Sequence, residues 1–219
     1  MAKSISRHSR VRGFTLIELL VAISILAMVA VLGWRGLDGI VRARLALNHE
    51  LAQTRGMQLT FAQLQSDCSR LTSASVVANR QVLALDENRL IMIRNVYADD
   101  QPARVQIVLY RLRDGVLSRQ ESAATRDLSE LDALWQAGLE DKIPNPAIAL
   151  QSDVALFSMR TWDARRPGWQ KNANLVPTSA NPAVAAVAAI QSGPIGLEVS
   201  LQLHSQSASM IKIFLLGPV

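Results

Sequence analysis

The sequence is short of the residues on which many stabilised or metal-binding scaffolds depend. Cys68 is the one cysteine among 219 residues, which excludes an intrachain disulfide and a cysteine-based zinc site. His8, His49 and His204 are the only histidines, and they lie far apart in the chain. No G-x-S-x-G, phosphate-binding loop or H-E-x-x-H occurs, so no His/Cys/Asp constellation points to an enzyme. The acidic pairs Asp99-Asp100 and Glu140-Asp141 lack calcium-loop spacing and read as loop acids. No catalytic residue, metal site, cofactor or small-molecule substrate is therefore expected. Charged residues make up only 19% of the chain against 49% apolar, which excludes a generic disordered polymer. No proline precedes Pro102, so nothing in that stretch forbids a long helix.

What charge there is lies unevenly. The first thirteen residues carry Lys3, Arg7, Arg10 and Arg12 and no acid, which is +4 of the chain's net +5. Without them the chain holds 19 basic and 18 acidic residues. The high isoelectric point is thus a property of the leader, and nucleic acid is not an expected partner. Phe14 to Trp34 then contains a single charge, Glu18. At 1.5 Å per residue this run spans roughly 30 Å, the thickness of a bilayer core. No small-x-small cleavage site follows it, which favours a retained span over a secretory signal. Basic residues on the short N-terminal side favour a cytoplasmic tail, which places the remaining 185 residues outside; in a Gram-negative cell that is the periplasm. Trp34 and Arg35 suit an interfacial anchor.

Glu18 is the anomaly of the span. A carboxylate inside an apolar helix costs about 2.5–3.5 kcal/mol near the bilayer centre and less near its surface, so it calls for a positive partner. Gly33, Gly36 and Gly39 recur every third residue at the end of the span. They read equally as helix-weakening positions or as a smooth strip for close helix–helix approach.

Gly13-Phe14-Thr15-Leu16-Ile17-Glu18, behind a basic leader and ahead of an apolar helix, resembles the N-terminal signature of the type IV pilins and pseudopilins. The resemblance implies that a membrane prepilin peptidase cuts between Gly13 and Phe14 and methylates the new amine of Phe14. It also implies that Glu18 meets the amine of a neighbouring subunit and sets the register of assembly. A buried amine and a buried carboxylate are each costly alone and tolerable together. Within one helix Phe14 and Glu18 are also i and i+4 and could meet.

Beyond the span, Leu37, Ile40, Leu47, Leu51, Met57, Phe61, Leu64, Cys68 and Leu71 fall on one helical stripe. The spacing predicts one helix from Phe14 to about Leu71, with residues 35–72 as its amphipathic continuation. Gly56 reads as a soft point, and Cys68 as a buried, inert thiol. Residues 73–219 then read as a β-rich head. Strands are expected at Gln81–Leu85, Arg89–Arg94, Val105–Arg113, Val116–Arg119, Val154–Trp162, Ile195–Leu203 and Met210–Leu216. Asp114-Gly115 is a hairpin turn and Arg165–Trp169 another turn. Asp127 and Glu130 form a capping box for a short helix that Gly138 could end. Val105–Tyr110 is apolar on both parities, so its buried face cannot be read from alternation. Arg104, Arg111, Arg113 and Arg119 read as a basic hairpin face. Residues 170–193 are rich in Asn, Pro, Ser, Thr and Ala and read as a mobile insertion. The fold class is α+β, a long N-terminal helix packed on antiparallel sheet.

Arg35–Asp38, Leu109–Leu117, Ala155–Trp169, Gly196–Leu203 and Met210–Leu216 resemble the J-type minor pseudopilins of type II secretion. That resemblance implies a structural subunit of the tip of a periplasmic pseudopilus, single-pass in the inner membrane. Its partners would be the I- and K-type minor pseudopilins and the prepilin peptidase. A minor pilin of a type IV pilus or DNA-uptake machine is the alternative, and a membrane-anchored enzyme or binding protein with a chance signature is a third reading. Glu18→Ala should insert and be processed normally yet fail to enter the assembled complex. Wild-type amounts of the variant in that complex would remove Glu18 from assembly.

Overall fold

The computed structural model describes residues 14–163, 166–171 and 194–217. The leader, including Gly13, and residues 172–193 of the expected insertion lie outside the described residues. The chain divides into two compact units, the first ending at Leu51 and the second starting at Ala52.

The first unit is helical. Helix α1 runs over Leu16–Ser69, close to the expected Phe14–Leu71, and its first part to Leu51 makes up the described portion of this unit. The apolar side chains between Phe14 and Leu51 are exposed. Leu37, Ile40, Leu47 and Leu51 therefore do not continue the packed stripe; burial along α1 begins at Gln53.

The second unit is an α+β head. The last turns of α1 bury Met57, Phe61, Leu64 and Cys68 against two antiparallel sheets. The first sheet has the order β1-β2-β3-β4-β5, with β1 at Leu83–Asp86, β2 at Arg89–Ala98, β3 at Gln101–Arg113, β4 at Val116–Glu121 and β5 at Ile148–Gln151. The second has the order β7-β6-β8-β9, with β6 at Val154–Asp163, β7 at Arg166–Gln170, β8 at Pro194–Leu203 and β9 at Met210–Leu215. Helix α2, Leu128–Leu139, lies between β4 and β5 in sequence.

The doubly apolar run in β3 now has its reason. Val108 and Tyr110 join Leu90 and Met92 of β2 in the core under α1. Ile107 and Leu109 join Ile91 and Ile93 in a second core, closed by Leu131 and Ile143, with Leu128, Leu134 and Trp135 packed against it. A strand covered by helices on both faces has no polar parity, which is why alternation is absent. The Asp114-Gly115 turn has φ of 51° and 72°, the left-handed pair of a type I′ hairpin.

Several expectations shift. Gly138 does not end α2. The helix runs through Leu139, and Asp141 takes the left-handed position at φ 57°. Lys142 N–H donates to the Ala137 carbonyl at 2.7 Å, the outer bond of a Schellman ending. Gly138 instead faces the first sheet, where a β-carbon would sit 3.7–3.8 Å from Ile91, Ile107 and Ile143. Half of the capping box forms: Asp127 accepts from Ser129 N–H at 2.8 Å, but Glu130 bonds the Thr125 hydroxyl. The expected turn at Arg165–Trp169 is largely a strand, since Arg166–Gln170 pairs with β6 and sets Trp169 opposite Trp162. Strand β5 has no counterpart in the periodicity. In β8 the alternating polar residues Glu198 and Ser200 are also buried, because β8 is interior to its sheet and Arg160 pairs with Glu198 across it at 2.5 Å.

Gly56 is a packing position rather than a soft one. A β-carbon there would fall inside van der Waals contact with Gln151 Oε1 and 3.2 Å from the Leu150 carbonyl oxygen. Gln151 is itself buried, so it has little room to yield. Overpacking costs about 1–3 kcal/mol, against a helix-propensity gain of about 1 kcal/mol for alanine over glycine. Gly56→Ala should therefore lower the urea midpoint of the full chain in detergent. Gln151→Ala in the same chain should recover most of that loss; equal losses in both backgrounds would detach Gly56 from Gln151.

Candidate functional site

Two places carry chemistry beyond ordinary packing: the start of α1 and a buried charge cluster beneath its far end. Each lies within one unit and is described by itself.

At the start of α1, Thr15 and Glu18 form a reciprocal capping box. Thr15 N–H and Thr15 Oγ1–H each donate to Glu18 Oε2 at 3.0 Å, and Glu18 N–H faces Thr15 Oγ1 at 3.4 Å. Thr15 is the N-cap and Glu18 the third helical residue, the spacing at which side chain and backbone satisfy each other's orphan groups. The carboxylate thus has a local partner in the uncut chain. The signal T-x-x-E was present in the sequence, and the pilin-like reading of Glu18 passed over Thr15. Phe14 is 90% exposed and precedes the helix. Gly13 lies outside the described residues.

The side chains that follow point outward. Leu16, Ile17, Leu26, Met28 and Leu32 are each more than two-thirds exposed. One helix among the described residues, α1, is long and apolar enough to cross a membrane, and its apolar stretch is unburied in the chain. A run of this size with no intrachain cover is suited to lipid or to neighbouring helices. Gly33, Gly36 and Gly39 all fall within α1, and a β-carbon at any of them would meet nothing within 4 Å. Asp38 and Arg42 form an exposed i,i+4 ion pair on the same helix.

The second place was not foreseen. Asp67, fully buried on α1, accepts from two arginines and a phenol. Arg119 Nε–H donates to Oδ2 at 2.8 Å and Nη2–H to Oδ1 at 3.2 Å. Arg94 Nη1–H donates to Oδ1 at 2.7 Å, and Tyr110 Oη–H to Oδ2 at 2.6 Å. Glu121 completes the cluster, at 2.8 Å from Arg119 and 3.2 Å from Arg94. Gln106 Oε1 takes the remaining Arg94 protons at 3.1 and 2.8 Å. Two carboxylates balance two guanidiniums, and the cluster opens to water mainly at Glu121. Burial, then the Asp67 charge and hydrogen bond, push the Tyr110 phenol far above its ordinary range, so it remains a donor. Burial would lower Arg119, but its bond to Asp67 and the Asp67 charge outweigh this and hold it protonated. Burial and the adjacent Asp67 charge push the Cys68 thiol up to about 12, so that sulfur is a poor nucleophile. The sequence signal was an acid on the apolar stripe, three residues after Leu64 and four before Leu71.

This cluster also dissolves the expected basic face. Arg119 points into the core, Arg111 pairs with Asp141, and Arg113 stays exposed beside Asp114. Among the described residues no three His, Cys, Asp or Glu side chains converge as a metal site. Asp67→Ala should destabilise the head by about 3–5 kcal/mol, because it leaves Arg119 charged and buried. Tyr110→Phe removes one bond to a charged acceptor and should cost about 1.5–3 kcal/mol. Urea unfolding of both variants, followed by tryptophan fluorescence, gives the comparison; equal losses would mean that the charge balance carries no special weight.

Comparison with known proteins matches both ends of this description. The prokaryotic N-terminal methylation motif covers residues 8–34, the leader and the apolar start of α1. Type II secretion system protein J of Klebsiella pneumoniae is 29% identical over 95% of this chain and 96% of its own length. The methylation motif, an apolar helix exposed among the described residues and the α+β head agree with this likeness, and the chain is similar to type II secretion system protein J along nearly its whole length, with a prepilin-type methylation motif at its start.

Proposed function

We propose that this chain is made as a prepilin, cut by a prepilin peptidase between Gly13 and Phe14, methylated at Phe14, and built into the tip of a type II secretion pseudopilus. There it joins the I- and K-type minor pseudopilins and helps initiate assembly for export across the outer membrane. The observation that carries the reading is the methylation motif lying on a helix whose apolar stretch is exposed among the described residues. Likeness to a secretion protein along nearly the whole chain favours secretion over a pilus or DNA-uptake machine.

The mechanism is packing and charge pairing, with no bond made or broken by this chain. The leader orients the protein in the inner membrane and keeps residues 1–13 cytoplasmic. Cleavage removes four basic side chains and creates one amine at the membrane surface. Before cleavage Glu18 is engaged by Thr15. A neighbouring subunit's methylated amine offers it a full positive charge in an apolar setting, where such a pair is favoured over either group alone. The span then packs against other spans, with Gly33, Gly36 and Gly39 permitting close approach. The head faces the periplasm and meets the other heads.

Coexpression with a prepilin peptidase should shorten the chain by its first thirteen residues and leave N-methylphenylalanine at its start, as read by mass spectrometry of the intact protein. An uncut chain would remove it from the prepilin class. The processed full chain in detergent should then co-purify with I- and K-type minor pseudopilins; binding neither would separate it from the J role.

A further inference from the structure

Helix α1 does not begin where the apolar run begins. Phe14 is exposed and precedes it, Thr15 is its N-cap, and Leu16 is the first helical residue. The first regular bond of the helix is Leu19 N–H to the Thr15 carbonyl, at 3.3 Å. The bonds that would carry the helix further upstream are replaced by side-chain bonds. In a longer helix Glu18 N–H would donate to the Phe14 carbonyl, four residues back. Here it faces Thr15 Oγ1 at 3.4 Å instead. Thr15 N–H is held by Glu18 Oε2 at 3.0 Å rather than by a carbonyl of a preceding turn. An N-cap of this kind has non-helical backbone and marks a definite stop. The methylation motif, matched over residues 8–34 on separate grounds, brackets the same stop.

We propose that Thr15 is a positioning residue for leader removal: its cap ends α1 short of the Gly13–Phe14 peptide and keeps Phe14 out of the helix for the peptidase. The inference rests on the cleavage reading above and adds to it the residue that presents the bond. The cut adds water across that peptide, leaving a carboxylate on Gly13 and an amine on Phe14. The attacked carbonyl must be open to the incoming water, and the Phe14 nitrogen must take a proton as it leaves. Inside a helix the carbonyl is engaged by an N–H four residues on and the backbone is enclosed by side chains. A chain that must first unwind is cut only in the fraction of molecules already open. The nearest Ser, Thr, Asp or Asn upstream of Thr15 is Ser9. A helix that lost the Thr15 cap and took the next one would run across the bond to be cut.

The test separates the cap from the shape of the side chain. Thr15→Asn keeps a capping oxygen on a different outline, and Thr15→Val keeps the threonine outline without the oxygen. The uncut full chain, in membranes from cells without a prepilin peptidase, is mixed with the purified peptidase, and loss of the leader is followed by mass spectrometry. Thr15→Asn should be cut at the wild-type rate and Thr15→Val roughly fivefold more slowly, the weight of one N-cap. Hydrogen exchange of the uncut chain in detergent should slow at the Phe14 amide in Thr15→Val and stay at the wild-type rate in Thr15→Asn. Equal cleavage of Thr15→Val and wild type overturns the proposal. So does slow cleavage of both variants, which would mean that the peptidase reads the threonine itself, and so does slow cleavage of Thr15→Val with Phe14 exchange unchanged. In each of these the wild-type chain is still cut and the cleavage reading stands; a wild-type chain left uncut removes that reading and the role of Thr15 with it.

Discussion

The head depends on one carboxylate. Asp67 sits at zero exposure on the last turns of α1, and the strands reach it with Arg94 from β2, Tyr110 from β3 and Arg119 from β4. Hydrophobic burial brings a helix and a sheet together but is non-directional. The arginine forks and the phenol are directional, and they accept only one rotation and one height of the helix over the sheet. Such a cluster is weak evidence for net stability, since desolvating four charged groups is expensive. Its contribution is to make any other register of α1 against the sheet leave a charge buried and alone. The unreactive thiol of Cys68 and the fixed protonation of Tyr110 follow first from burial and then from the same negative charge.

A second constraint is that the middle of β2 and β3, Leu90–Ile93 and Val105–Tyr110, has no solvent face. One parity of each strand serves the core beneath α1 and the other the core beneath α2. The head is thus layered as helix, sheet and helix at its first sheet, while the second sheet adds Phe157, Val199, Leu201 and Phe214 to the α1 side alone. Among the described residues, the outer row of that second sheet has no helix over it. Its interior members Glu198 and Ser200 are shielded by neighbouring strands, and the exposure collects on β9.

At the start of α1 the corresponding constraint is Glu18. An acid in an apolar span is a cost that must be met locally or by a neighbour. Thr15 meets it locally by capping, which also starts the helix.

The sequence by itself determined whatever follows from local periodicity and from the cost of placing groups in lipid. The apolar run, the asymmetric leader, the solitary Glu18, the long helix, the Asp114-Gly115 turn and the terminal strands are all local or near-local signals. So was the resemblance carried by residues 13–18, which the match at residues 8–34 bears out. Only the tertiary structure decided what depends on who packs against whom. It moved the onset of helix burial to Gln53, turned Gly56 into a close-approach position, set Gly138 against the first sheet inside α2, and made Arg166–Gln170 a strand by pairing it to β6. It also withdrew Arg119 from an expected surface patch and assembled the Asp67 cluster from residues up to 52 positions apart. Charge neutralisation at that range leaves no periodic trace in the chain. A buried arginine and an exposed one look alike until the acid that accounts for the burial is placed beside it.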